Sequence, residues 1–63
     1  MTTTDEIRKY AESKDDALRQ ARRNESETGM RWFALLRHDG VWVLTEWMPL
    51  LGEWYDSDGH RHG

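Results

Sequence analysis

The chain has 63 residues, with 9 Lys/Arg against 12 Asp/Glu for a formal net charge of −3, no cysteine, and four tryptophans at positions 32, 42, 47 and 54. This length limits it to one domain (1–63) that hides only about 60% of its unfolded surface on folding, and the lack of cysteine excludes disulfide staples and thiolate zinc sites. No apolar run approaches the roughly 18 residues of a membrane span, and MTTTDEIRKY lacks the apolar core of a signal peptide, so a cytoplasmic protein is expected. Stability must then come from buried tryptophan, each ring covering on the order of 150–250 Å², or from self-association. Charge is evenly mixed, six Lys/Arg against seven Asp/Glu up to Gly29 and three against five beyond it, which is not the composition of a polyanion binder.

The first element predicted is a helix over about 4–24. Thr3 and Glu6 have capping-box spacing, and Asp5/Lys9, Arg8/Glu12 and Asp15/Arg19 are opposite charges four residues apart. Ile7, Ala11, Leu18 and Ala21 form a narrow apolar stripe that Lys14 interrupts. Ser13 is also a possible N-cap, so the alternative is an extended Glu6 to Glu12 followed by a helix from Lys14 to Asn24. The stretch from Asn24 to Gly29 ends the helix.

Next comes a hairpin, MRWFALLR-HDG-VWVLTEWM, with strands predicted at 30–37 and 41–48. Asp39-Gly40 suits a two-residue type I′ turn. That turn pairs His38 with Val41, Leu36 with Val43, Ala34 with Thr45 and Trp32 with Trp47. One face would carry Met30, Trp32, Ala34, Leu36, Val41, Val43, Thr45 and Trp47 beneath the helix. The other would carry Phe33, Leu35, Trp42 and Leu44, rimmed by Arg31, Arg37 and Glu46. One amphipathic helix covers one face only, so this second face is the candidate protein interface, for a foreign partner or for a homodimer; a loop or tail folding back over it is the competing account. Pro49 ends the second strand, 53–56 reads as a third, edge strand, and the tail 57–63 is expected to fray.

Signs of chemistry are sparse. Asp56, Asp58, His60 and His62 alternate in a way that could present metal-binding groups on one side, but Asp-Ser-Asp-Gly is a common turn, and no metal or cofactor is expected. His38 beside Asp39 sits at a hairpin tip, and Ser13, Ser26 and Ser57 have capping or turn roles, so the chain does not read as an enzyme with a small-molecule substrate. Arg19, Arg22 and Arg23 form the alternative site, a basic patch for nucleic acid, against which the net negative charge argues.

Thr45 to Leu50, TEWMPL, resembles the T-H-W-M-P-L-P signature near the end of a family of small phage-encoded proteins, with Glu46 in place of the family's His and Leu51 in place of its second Pro. In size and architecture the chain is also similar to small phage proteins that block host enzymes or host defence by surface contact, anti-CRISPR proteins among them. The resemblance implies a non-enzymatic inhibitor acting on a host protein in the host cytoplasm. The predicted fold is α+β, one N-terminal helix packed on a three-stranded antiparallel β-sheet.

Overall fold

Ser13 decides where the helix begins. In the computed structural model, which describes residues 9–63, Ser13 is extended (φ −143°, ψ 162°) and its hydroxyl accepts from the Asp16 N–H at 3.2 Å. Helix α1 therefore spans Lys14–Thr28, and Tyr10–Ala11 before it form a two-residue strand, β1. This corrects the continuous helix over 4–24 in favour of the alternative; residues 4–8 lie outside the described residues. Two effects outweigh the helical propensity of the earlier residues. The cap satisfies an end N–H with Asp15 and Asp16 in the positive first turn, and the break places the Lys14 ammonium 4.3 Å over the Tyr55 ring instead of within the apolar stripe. At the other end α1 runs past Asn24 to Gly29, whose φ of 74° closes the helix as its N–H donates to the Glu25 carbonyl at 2.8 Å.

Strands β2 (Phe33–Leu36) and β3 (Trp42–Thr45) form the expected hairpin in a different register. Leu36 pairs with Trp42, Leu35 with Val43, Ala34 with Leu44 and Phe33 with Thr45, one residue away from the expected pairing. The loop has three residues, not two. Arg37 N–H donates to the Val41 carbonyl at 2.9 Å, Gly40 N–H closes the turn onto the Arg37 carbonyl at 3.0 Å, and Gly40 alone takes positive φ, 89°. Asp39 keeps a negative φ, so the turn is not type I′. Its carboxylate accepts from Val41 N–H (3.1 Å) and from Arg37 Nη2 (2.6 Å), and that Val41 bond, with Arg37 beside it, holds the carboxyl below its ordinary value.

A one-residue slip turns a whole strand over. Trp42 and Leu44 join Trp32, Ala34 and Leu36 beneath the helix, and they are 7% and 2% exposed. Trp47, expected in the core opposite Trp32, is 77% exposed. The core is closed by Ala11, Ala17, Ala21 and Tyr55, the two helix alanines letting α1 approach the sheet while Trp32 and Trp42 supply the bulk. Glu25 fastens the layers: its carboxylate accepts from the Trp32 N–H and from the Ser57 hydroxyl, both at 2.9 Å, and Arg22 donates to the Ser57 carbonyl at 3.0 Å.

Strand β4 (Trp54–Asp56) pairs with β2, not with β3, and β1 pairs with the other side of β3, giving an antiparallel sheet in the order β1-β3-β2-β4. The fold is α+β as expected, with four strands in place of three. Because β3 and β4 flank β2 and are both antiparallel to it, they run parallel, and the connection between them must cross β2. Residues 46–53 make that crossing on the side away from the helix, with Gly52 against Leu35. The tail, expected to fray, is laid against β4. Asp56 N–H donates to the His60 carbonyl (3.1 Å) and His62 N–H to the Trp54 carbonyl (2.8 Å), with Tyr55 and Arg61 bridged between them.

Candidate functional site: an apolar connection and the cleft beside it

The set predicted as an interface is dispersed. Trp42 and Leu44 are core residues. Phe33 is on the outer face but 8% exposed, its ring edge-on to Trp54 with centroids 5.4 Å apart, and Leu35 is half-buried beneath Gly52. Arg37 is engaged with Asp39 in the turn, Glu46 is exposed at the start of the β3–β4 connection, and Arg31 is exposed with its Nε 3.7 Å from Glu25. The outer face is thus covered largely by the chain's own crossing segment and tail.

That covering segment carries the exposed chemistry. The Trp47 N–H donates to the Thr45 hydroxyl at 3.0 Å, which ends β3 and turns the chain outward. Pro49 has no N–H to offer a ladder, so the run around it cannot extend the sheet. Trp47, Met48, Leu50 and Leu51 are 77%, 62%, 91% and 85% exposed. Sequence reasoning placed Trp47 in the core and gave Leu50 and Leu51 no surface role. The signal that could have found them was the consecutive apolar run itself, split by a proline that denies it a strand.

Beside the connection, Arg31, Phe33, Met48, Trp54, Asp56 and His62 line a cleft of about 370 Å³. Trp54 forms one wall, held between Phe33 and the His62 imidazole, which stacks on it at 4.5 Å between centroids and 14° between planes. Asp56 is 8% exposed and densely bonded: one carboxylate oxygen accepts from the N–H groups of Asp58 (3.0 Å) and His60 (2.9 Å), and the other meets His62 Nε2 at 3.0 Å. Burial pushes this carboxyl up, but the His62 bond and the His60 and Asp58 N–H groups outweigh it and bring it down to about 2.

The metal-capable residues are therefore placed as a turn. Donor atoms of Asp56, Asp58 and His60 lie within 4.8 Å of one another, yet the Asp56 oxygens are taken up by protein donors, and His62 faces Trp54. The basic cluster is also interleaved with partners. Arg19 lies 3.6 Å from Asp16, Arg23 lies 3.2 Å from Glu27, and Arg22 is bonded to the Ser57 carbonyl.

These features describe a small α+β domain whose distinctive surface is an apolar connection flanked by an aromatic cleft. Compared with protein families, with curated proteins and with solved structures, the chain matches none of them. No helix among the described residues is long and apolar enough to cross a membrane.

Proposed function

We propose that the domain is a non-enzymatic protein-binding module that makes contact through residues 46–53 and acts by covering its partner's surface. One observation carries the reading: four large apolar side chains, Trp47, Met48, Leu50 and Leu51, stand out from one short connection. Solvated apolar groups in such a group mark interaction sites, and tryptophan and methionine are favoured at their centres. Glu46 and Arg31 beside them supply the charged rim that orients an encounter. The stretch that resembles the phage signature, Thr45 to Leu50, runs from the end of β3 through the first half of this connection, which favours a host protein as the partner and an inhibitory outcome.

The test compares the wild type with a Trp47→Ser, Leu50→Ser, Leu51→Ser variant, all three positions being exposed. Both proteins are checked by circular dichroism, run in equilibrium sedimentation, and used to capture partners from a host extract with and without nuclease treatment. A protein retained by the wild type and lost by the variant supports the reading. Equal retention by both refutes it. A wild-type dimer that the variant converts to monomer makes the partner a second copy. Retention that nuclease abolishes transfers the function to the Arg19, Arg22 and Arg23 surface, where binding must fall steeply with salt.

A further inference from the structure

The cleft beside the connection has a chemistry of its own. Phe33, Met48 and Trp54 give it apolar and aromatic walls, and Arg31 stands at its edge. The lining carries one cation, Arg31, and one carboxylate, Asp56, and the two differ in what they can still bond. Asp56, the acid in the lining, has its oxygens engaged by the Asp58 and His60 N–H groups and the His62 imidazole. Arg31 pairs with Glu25 at 3.7 Å through Nε, an ion pair beyond hydrogen-bonding distance, and the Glu25 oxygens accept from Trp32 and Ser57, so among the described residues the guanidinium fork keeps donors to offer. A guanidinium next to an aromatic hollow selects an anion attached to an apolar body, and it grips a planar carboxylate through two parallel bonds.

The cleft's size narrows the ligand. About 370 Å³ lies at the low end of ligand pockets, with room for one side chain and the group next to it. Within a polypeptide, an apolar side chain and a carboxylate belong to the same residue only at the chain's C-terminus. We infer that this cleft receives the C-terminal residue of a bound polypeptide, its apolar side chain between Phe33, Met48 and Trp54 and its carboxylate on Arg31. Met48 belongs to both the connection and the cleft. The inference therefore rests on the protein-binding reading for its partner, while the cleft's chemistry is testable apart from it.

The probe is N-acetyl-phenylalanine, titrated into the isotopically labelled full chain and followed by the indole N–H signals of the four tryptophans. The Trp54 signal should move with saturation in the millimolar range, as one residue's contacts allow, while that of Trp47 stays in place. N-acetyl-phenylalaninamide, which lacks the anion, should bind about tenfold more weakly, and Arg31→Gln should bring the acid down to the amide's affinity. Arg31→Lys, which keeps the charge but not the fork, should fall between them. Equal binding of acid and amide, no Trp54 movement at about 20 mM acid, or an Arg31→Gln chain that folds and binds unchanged would each overturn the inference. So would equal binding of N-acetyl-glutamyl-phenylalaninamide, which carries its anion on a neighbouring side chain. The serine variant of the connection keeps Arg31, Phe33, Met48 and Trp54. A wild type that captures a connection-dependent partner but does not bind the probe rejects the cleft alone, and a wild type that binds the probe while it and the serine variant retain partners equally rejects the connection alone.

Discussion

Replacing Asp56 with Asn removes the charge that gathers the C-terminal turn while keeping the side chain's size. In the folded chain this carboxyl titrates at about 2, against 3.8 for the same group unperturbed. Because the folded value is the lower one, the ionised form is favoured by folding, and the stabilisation is present in full above about pH 4. As pH falls from 4 towards 2 the unfolded chain takes up the proton first, so the stabilisation is lost across that window and is gone below it. The gap corresponds to about 2 kcal/mol. A domain of this length has roughly 3–9 kcal/mol to lose, so the effect is large. Urea denaturation monitored by circular dichroism, at pH 6 and at pH 2.5, gives the comparison. Asp56→Asn should be less stable than the wild type by about 2 kcal/mol at pH 6, and most of that difference should have vanished at pH 2.5. The other carboxylates titrate in both proteins and cancel. A difference of the same size at both pH values would refute the reasoning, because the Asp56 contribution would then be shape and not charge.

Two further substitutions read the fold directly. Trp42→Ala should destabilise by about 3–5 kcal/mol, enough to unfold much of the population, whereas Trp47→Ala should stay within about 0.5 kcal/mol of the wild type; the pairing of Trp32 with Trp47 would require the opposite order, and denaturation curves decide between them. Gly40→Ala meets no atom within 4 Å, so its cost is that of placing a side chain at φ 89°, about 1 kcal/mol, measurable as a shift in the urea midpoint without a change in slope.

The hairpin was legible and its register was not, for a physical reason. Both candidate faces of the two arms carry apolar residues in their middle, so turning one strand over changes which side chains are buried without exposing a clearly wrong set. The turn then decides, and Asp39-Gly40 serves a two-residue and a three-residue loop equally well by composition. Arg37 and Asp39, bonded across the tip, favour the longer one. The break at Ser13 was visible as a cap signal, but local charge pairs argued for helix on either side of it, and what settled the matter was tertiary: a place for Tyr10 and Ala11 against β3 and for Lys14 over Tyr55. Neither can be seen from neighbours in sequence. The candidate interface inherited the register error, since Trp42 and Leu44 were assigned by alternation alone. The same holds for the tail, whose pairing with β4 depends on a strand that was predicted at the sheet edge but without a partner strand.

That tail shapes how the protein can associate. A sheet ends in a row of unsatisfied backbone groups, and edges of this kind invite strand addition by other chains. Here the margin beyond β4 is occupied from within, by the His60 and His62 backbone, and the opposite margin is formed by the two residues of β1. A partner seeking to extend the sheet at β4 would first have to peel away a segment anchored by an imidazole stacked on Trp54 and bonded to Asp56. Backbone templating, which is indifferent to sequence, is thereby opposed at this margin, and on the proposed binding reading recognition falls to the side chains of Trp47, Met48, Leu50 and Leu51, which can discriminate between partners.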